Sequence, residues 1–430
     1  MSKLATIAPF LNPTQGGDSS QARDFCSWDL LVPVDFLALH RVNPARYPAL
    51  LHSAAMNMLS AQFDILMAFP QGEPLVHEDF LSAFSRAWHE SKKPRVMDPH
   101  VPPPSPLLPP FRGGWFVFLG YELIRQFEPR LRVLPAPPAG ADAAWALRIP
   151  AALIRDHRTN SVRFICERGW ERLVIDLADD LRRCVTQNLE PNFASNANLR
   201  DKLETTSWTI EEEAPHAYLD GVRRVKNYIQ AGDVFQVNLS RCWRAYSTAP
   251  IDPLAIYQRL SQANPGPFAG FARLGNSYVL SSSPERLVKT TADRVETRPI
   301  AGTRPRGRDT AEDAQLRTAL LANIKERAEH IMLIDLERND LGRICIPGSI
   351  CVDELMAIES YRHVHHIVSN VSGLMRAEVT PIDVIRAVFP GGTITGCPKI
   401  RCMEIIGEIE ATGRGAYTGS MGYVNRDGDM

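Results

Sequence analysis

Two glutamates in the C-terminal half are spaced so that they could hold a metal ion. Glu326 and Glu329 lie within an apolar pattern of helical spacing, so both carboxylates are expected on one face of a helix. The apolar residues of the pattern are Leu316, Leu320, Ile324 and Ile331. Neighbouring carboxylates repel unless a cation or a proton lies between them, and oxygen ligands with retained water are typical of magnesium. The pair is a candidate Mg²⁺ site; the alternative is two solvated acids beside basic side chains.

Two glycine-containing segments could complete a pocket around these acids. Residues 299–304 (PIAGTR) include Gly302 and Thr303, and residues 391–399 (GGTITGCPK) include Thr393. Glycine is needed where a ligand approaches the backbone closely, and backbone N–H groups in such turns bind anions. Together with the two acids, these segments predict a pocket for magnesium and a carboxylate ligand.

The composition excludes several classes of protein. The chain has 430 residues, of which 44% are hydrophobic and 23% charged, with a net charge of −1. The charges are interspersed, so nucleic acid is not an expected partner. No apolar run approaches the length of a signal peptide or a membrane span, and the eight cysteines form no C-x-x-C pair. We therefore expect a cytoplasmic protein with reduced cysteines and no membrane partner.

Two β-hairpins are predicted in the C-terminal half. Residues 268–273 pair with 277–282 across a short turn, and residues 286–290 pair with 294–298. Residues 234–243 alternate between apolar and polar side chains and predict a further strand. Helical patterns follow without strict alternation of strand and helix, so the predicted class is α+β, with large antiparallel sheets flanked by helices.

A polar segment before Pro215 marks the predicted domain boundary. Few periodic apolar residues occur there, and Pro215 then begins an amphipathic helix that Gly232 ends. The predicted domains are residues 1–205 and residues 214–430.

The last residues predict an unfinished hairpin. Residues 416–424 predict a strand and residues 425–428 have the composition of a turn. The chain stops two residues later, where a return strand is expected. We therefore expect the sequence to be incomplete at its C-terminus.

From about residue 214 onward the chain resembles the chorismate-utilising enzymes, which include the anthranilate, aminodeoxychorismate, isochorismate and salicylate synthases. The matching segments follow the family's order: residues 232–240 (GDVFQVNLS), 283–286 (SPER), 299–304, 329–340, 366–369 (HIVS) and 391–399. The resemblance implies an architecture like that of anthranilate synthase component I.

The resemblance also implies roles for the acids. Glu329 matches a direct magnesium ligand and Glu326 its neighbour acting through water, with the metal holding the ring carboxylate of chorismate. Glu285 matches the general acid that protonates the departing ring hydroxyl, which requires a carboxyl kept protonated by its surroundings. An ion pair with a neighbouring arginine is its alternative. His366 matches a histidine near the leaving group, although a histidine in an apolar strand is also consistent with a structural role.

Further residues match substrate contacts of the family. Gly302, Thr303 and Thr393 would offer backbone amides and hydroxyls to substrate carboxylates, and Tyr417 matches a tyrosine that contacts the substrate. Lys399 is either a carboxylate partner or a solvated charge at the start of a helix.

One position separates hydration of chorismate from amination. Isochorismate and salicylate synthases carry a lysine that activates water where this chain has Gln236, which cannot act as a base. The expected nucleophile is therefore ammonia, supplied by a glutaminase subunit. The N-terminal segments favour the aminodeoxychorismate synthase branch. Ala301 favours anthranilate synthase, because many aminodeoxychorismate synthases have a lysine there that is proposed to attack the ring.

Two more features follow from the resemblance. Ser53, Pro267 and Phe268 correspond to a pocket that binds tryptophan in this family, and here they form either that pocket or core packing. Family members also continue past Met430 with an arginine, a glycine-rich strand and further glutamates of the magnesium site. We therefore expect this chain to be inactive or a fragment, and a protein that binds chorismate or a partner without catalysis is the alternative from another class.

Overall fold

A computed structural model of the protein describes residues 10–13, 24–55, 62–93, 108–138, 140–186 and 207–430. The helices in these ranges are α1 (Phe36–Val42), α2 (Phe80–Ser91), α3 (Leu173–Thr186), α4 (Pro215–Ala231), α5 (Pro253–Ala263), α6 (Thr310–Ala322), α7 (Ile324–Gly342), α8 (Pro381–Val388) and α9 (Lys399–Ile409), with 3₁₀ turns at Tyr121–Gln126, Pro129–Val133 and Gly392–Ile394. None of the helices in the described ranges combines the length and apolar character needed to span a bilayer.

The strands are β1 (Leu11–Pro13), β2 (Phe25–Leu30), β3 (Ala49–His52), β4 (Phe63–Ala68), β5 (Gln71–Leu75), β6 (Gly114–Leu119), β7 (Ala144–Ile149), β8 (Ala151–Asp156), β9 (Ser161–Glu167), β10 (Trp208–Glu212), β11 (Gln236–Val237), β12 (Trp243–Ser247), β13 (Phe268–Leu274), β14 (Ser277–Ser283), β15 (Lys289–Thr291), β16 (Arg294–Thr297), β17 (Ile300–Pro305), β18 (Cys351–Ser360), β19 (Val364–Leu374), β20 (Gly396–Cys397) and β21 (Ser420–Asn425). The predicted α+β class with large antiparallel sheets is confirmed.

Two antiparallel sheets form the centre of the protein. The larger has the order β1-β2-β9-β8-β4-β3-β13-β14, and the smaller has the order β21-β6-β7-β5. Each sheet contains strands from both sides of the boundary predicted near residues 206–213, so the two segments share their hydrophobic layers. The division into residues 1–205 and 214–430 stays a prediction.

Alternating apolar side chains pack the two sheets against each other. Met67 and Ile165 of the larger sheet contact a cluster that includes Phe116, Phe118 and Trp145 of the smaller sheet. The outer face of the larger sheet packs on α1, α3 and α5, and the outer face of the smaller sheet packs on α2, α8 and α9. Because each strand presents alternate side chains to opposite faces, both faces of each sheet can be buried.

A third sheet carries the segments that the sequence assigns to the pocket. Its order is β15-β16-β19-β17, and β18 pairs with β19. The register of β17 against β19 shifts between Ala301 and Thr303, with Gly302 at a φ of +80°. Such a bulge changes the direction of the strand, and it places this positive φ at a residue without a Cβ. Helices α7 and α8 pack against this sheet.

Several local predictions are confirmed and two are wrong. The helix from Pro215 and its end at Gly232, which has a φ of +81°, are confirmed, as are both hairpins. The long strand at residues 234–243 is wrong: β11 covers only two of these residues, β12 begins at Trp243, and Phe235 is 72% exposed. The partner of β11 is the two-residue strand β20, so the apolar alternation did not produce a longer ladder.

The helical pattern around the two glutamates is also interrupted. Asn323 ends α6 and caps α7, because its side-chain oxygen accepts a hydrogen bond of 3.1 Å from the backbone N–H of Glu326. Leu316 and Leu320 therefore belong to a different helix, and Ile324 is 84% exposed. The final predicted strand begins later than expected, at Ser420.

Candidate active site

A cavity of about 470 Å³ lies where β14, β21 and the Gly392–Ile394 turn meet. β14 and β21 are each the last strand of their sheet. Polar side chains in the cavity wall include Glu285, Arg286, Arg298, Glu337, Thr393 and Tyr417. The structure therefore brings together three of the predicted site residues, Glu285, Thr393 and Tyr417, in one concave site of the size typical for a small ligand.

Glu285 is held just after β14 by two hydrogen bonds. The Thr393 hydroxyl donates to Oε1 of Glu285 at 2.8 Å, and the backbone N–H of Ile300 donates to the same carboxyl group. Burial raises the pKa of Glu285 to about 8, and the nearby charge of Glu337 adds to this, although both hydrogen bonds act in the opposite direction. Glu285 is therefore mostly protonated at neutral pH, as a general acid must be.

Glu337 is a second carboxyl group in the same cavity. It lies on α7, is 6% exposed and accepts a hydrogen bond from the backbone N–H of Gly392. Burial raises its pKa to about 7, with a further contribution from Asp340, while the charge of Lys399 opposes the rise. The cavity therefore holds two carboxyl groups that both titrate near neutral pH.

Lys399 lies behind this wall. Its Nζ forms an ion pair with Asp340 and donates a hydrogen bond of 3.1 Å to the carbonyl of Val388. Lys399 does not belong to the cavity lining. Its partner in the structure is a protein carboxylate, and the predicted contact with a substrate carboxylate stays a prediction.

His366 and the residues of the bulge form a neighbouring group. Thr303 Oγ1 lies 3.0 Å from Nδ1 of His366, and the ring also hydrogen-bonds the backbone of Gly302. Burial lowers the pKa of His366, so the neutral ring is favoured. The predicted residues Gly302, Thr303 and His366 are thus in contact with one another, although the cavity lining does not include them.

Glu326 and Glu329 lie near the start of α7, and Glu326 faces this group. A Cβ at Gly302 would lie 3.2 Å from Oε2 of Glu326, so the glycine lets the carboxylate approach the backbone. Among the described residues, no group of three or more His, Cys, Asp or Glu side chains could hold a metal. Two carboxylates do fit magnesium, which retains waters and often takes the rest of its ligands from a substrate anion.

Gln236 lies in β11, and the cavity lining does not include it. Its strand pairs with β20, Gln236 opposite Cys397. The nearby Asn238 donates hydrogen bonds to the carbonyls of Ile394 and Thr395, both at 2.9 Å, and so fixes the turn. Gln236 Oε1 is buried without a hydrogen-bond partner among the described residues, and a buried acceptor of this kind is available to a donor from a ligand or water.

The residues of the predicted tryptophan pocket meet at the β3–β13 pair. His52 pairs with Ala269 in antiparallel strands, so the next residues at this end of the pair are Ser53 and Phe268. The buried Pro267 precedes Phe268. Ser53 Oγ donates to the carbonyl of Phe63 at 2.8 Å. The group is assembled, and tryptophan binding stays a prediction.

Glu337 and Arg286 were not singled out from the sequence. Glu337 lies four residues from both Leu333 and Leu341, on the buried face of α7. A glutamate at an apolar helical spacing was the sequence feature that could have identified it as a candidate site residue. Arg286 follows Glu285, burial lowers its pKa, and its Nε has no hydrogen-bond partner in the described part of the chain. An arginine in a cavity wall is suited to bind a carboxylate.

Sequence comparisons find a matching family and several similar proteins. A family model described as chorismate binding enzyme matches residues 37–430. An anthranilate synthase component I-like protein of Synechocystis is 41% identical over 324 residues, which are 75% of this chain and 63% of that protein. Aminodeoxychorismate synthase component 1 of Bacillus subtilis is 38% identical over 367 residues, 85% of this chain and 73% of the relative. Anthranilate synthase component 1 of Thermus thermophilus is 40% identical over 326 residues, 76% of this chain and 68% of the relative.

Solved structures share the fold. Anthranilate synthase component I of Streptococcus pneumoniae superposes with a TM-score of 0.69 and 29% identity, covering 87% of this chain and 83% of that one. The menaquinone-specific isochorismate synthase of Escherichia coli superposes with a TM-score of 0.65 at 14% identity, covering 94% and 83%. At 14% identity, the similarity to the isochorismate synthase concerns the fold alone.

Proposed function

We propose, from the premise that this chain belongs to the family of chorismate binding enzymes, that it catalyses the amination of chorismate to 4-amino-4-deoxychorismate. In the overall reaction, chorismate and ammonia give the amino product and water. The chain would act as component I, and a glutaminase subunit would supply the ammonia. The product would serve 4-aminobenzoate and folate synthesis.

The observation that carries this proposal is the position of Glu285, whose carboxyl group lines the cavity and accepts a hydrogen bond from Thr393. Its pKa of about 8 means that the carboxyl group holds a proton at neutral pH. When the ring C–O bond breaks, the oxygen takes this proton and leaves as water. The new C–N bond forms to ammonia, whose nitrogen then loses one proton, so Glu285 can be protonated again. Thr393 keeps the acid oriented through its hydrogen bond of 2.8 Å.

The other residues bind and orient the substrate. Arg286 and Tyr417 lie in the cavity wall and can contact a carboxylate or the ring. Glu326 and Glu329 would hold magnesium, which when bound supplies positive charge for the ring carboxylate. Gln236 cannot deprotonate water, which supports ammonia rather than water as the nucleophile.

A second candidate, anthranilate synthase component I, is favoured by Ala301. This residue is 7% exposed in β17 and carries no nucleophile, as in anthranilate synthases. The first candidate is supported by the Bacillus subtilis aminodeoxychorismate synthase relative, whose similarity extends over 85% of the chain. The anthranilate synthase component 1 of Pseudomonas aeruginosa aligns over 82% of the chain, so the two candidates differ little in the share of the chain that their relatives cover.

Product analysis tests the proposal. The purified chain is incubated with chorismate, magnesium and an ammonium salt, and the products are separated with and without added aminodeoxychorismate lyase. Release of 4-aminobenzoate only after addition of the lyase supports the first candidate. Direct appearance of fluorescent anthranilate supports the second and overturns the first. Binding of chorismate without its consumption would support a non-catalytic binding protein and overturn both.

A further inference from the structure

One buried acid in the cavity has no role in the reaction as described above. Glu337 lies on α7 and is 6% exposed, yet it borders the same cavity as Glu285. Carboxyl groups are rarely buried to this degree unless they are paired or neutral. Glu337 has no arginine or lysine bonded directly to it among the ion pairs of the described residues. An ion pair therefore does not explain why this acid is buried in the cavity wall.

One short turn donates a hydrogen bond to each of the two acids. The backbone N–H of Gly392 donates to Glu337, and the hydroxyl of the next residue, Thr393, donates to Oε1 of Glu285. A Cβ at Gly392 would lie 2.1 Å from Cδ2 of Leu336, so the glycine allows α7 to pack directly against the turn. Two adjacent residues of the turn thus each donate a hydrogen bond to one of the two carboxyl groups.

The other charged groups around the two acids are already compensated. On the α7 and α9 side, Asp340 is paired with Lys399. On the β16–β18 side, Arg298 is paired with Glu359 at 2.6 Å, and the Tyr361 hydroxyl donates to the same glutamate at 2.7 Å.

Arg286, the remaining charged group in this wall, lies 3.7 Å from Glu296. Within the part of the chain that the structure describes, Glu337 is therefore the acid near Glu285 that has no ion-pair partner of its own; Lys399, which is paired with Asp340, acts on it only through its charge.

We infer that Glu337 is a positioning residue for the proton on Glu285: held beside it by the Gly392–Thr393 turn, its negative charge keeps the acid protonated until the substrate takes the proton. The inference rests on the proposed function and deepens it, since it explains how the general acid of that reaction keeps its proton. It concerns the free protein, so it can be tested without turnover.

The sign of the effect follows from the two titrations. The pKa of Glu337 is about 7 and that of Glu285 about 8, so Glu337 is largely ionised at the pH where Glu285 is half ionised. Ionising Glu285 then places two negative charges in one buried cavity, which is unfavourable. A neutral side chain at position 337 removes this repulsion and lowers the pKa of Glu285.

The test is an infrared titration of the substrate-free protein. The C=O stretch of protonated Glu285 is assigned by its loss in Glu285→Gln, and its pH midpoint is compared between the wild type and Glu337→Gln. The amide oxygen of the glutamine can still accept from Gly392. We expect the midpoint to fall by about one pH unit, a tenfold change in the ionisation constant. The control is Asp335→Asn, which removes a charge from the exposed side of α7, where Asp335 pairs with Arg338 at 2.9 Å.

Two more variants separate charge from packing. Glu337→Met removes the charge with a side chain of similar length, and Glu337→Asp retains the charge. The inference predicts a lowered midpoint in the first and a midpoint close to the wild type in the second. An unchanged midpoint in both uncharged variants would overturn it. Failure of the proposed function has a different signature, because wild-type protein would then release anthranilate or leave chorismate unchanged, whatever the titration shows.

Discussion

Nη1 of Arg304 lies 3.0 Å from Oε1 of Glu326, so a glutamate proposed to hold magnesium is already in an ion pair with the neighbouring strand. Arg304 belongs to β17, and Glu326 lies in the first turn of α7. The pair joins the two elements, and it competes with a cation for the same carboxylate. Magnesium binding therefore includes the cost of releasing or sharing Arg304.

Replacing Arg304 should strengthen magnesium binding. In Arg304→Met the carboxylate of Glu326 loses its competitor, and we expect binding about two- to fivefold tighter, the range of a partly exposed ion pair. Glu329→Gln should weaken binding by removing a ligand. Titration calorimetry with Mg²⁺ measures both. Arg308→Met is the matched control, since Arg308 is exposed and pairs with Glu312; weaker binding in Arg304→Met would contradict the assignment.

Replacing Glu285 should stop the reaction and spare binding. Glu285→Gln has no acidic proton to transfer, but its amide oxygen can still accept a hydrogen bond from Thr393. We therefore expect the rate of chorismate consumption to fall about 10²- to 10⁴-fold, with chorismate affinity little changed. Chorismate consumption and equilibrium binding are measured on the same preparation. A variant that retains the wild-type rate would exclude Glu285 as the acid.

The same residue predicts the pH dependence of the wild type. Because Glu285 acts in its protonated form and its pKa is about 8, activity should decline as the pH rises through that value. Rates must be expressed per concentration of free ammonia, which increases with pH. A corrected rate that keeps rising above this range would contradict the assignment.

A lysine at position 301 should form an adduct with chorismate. Ala301 is buried in β17, directly before the bulge at Gly302. In Ala301→Lys the amine can attack the ring and release the hydroxyl as water, so mass spectrometry after incubation without ammonia should show a heavier chain. Ala301→Met controls for added bulk and should show no adduct. Absence of an adduct in the lysine variant would place position 301 away from the substrate ring.

The buried Glu122 should be important for stability. Its carboxylate accepts from the backbone N–H of Arg414 at 2.6 Å and of Gly415 at 3.1 Å. Glu122→Ala leaves both donors unsatisfied, and we expect a loss of about 2–4 kcal/mol in the free energy of unfolding. Urea denaturation measures it, with Glu128→Ala as control, since Glu128 is only partly buried and its side chain forms no cap hydrogen bond. An equal effect in the two variants would contradict the prediction.

Local physical rules predicted the elements whose ends carry strong signals. The helix from Pro215 to Gly232 was predictable because proline favours the first turn and glycine adopts a positive φ at the end. The hairpin of β13 and β14 followed from short alternating runs around a turn. The long strand at residues 234–243 was wrong because alternation does not say how far a partner strand extends, and β20 pairs with only two of these residues.

The sequence by itself determined the family, the α+β class and the types of residue available for chemistry, since these depend on order, spacing and side-chain identity. Only the tertiary structure placed Thr393 against Glu285, 108 residues away, and brought Glu337 into the same cavity. The tertiary structure also determined that Lys399 forms an ion pair with Asp340 and that Arg304 forms one with Glu326. Protonation and pairing depend on burial and on the nearest charge, and these are properties of the folded chain.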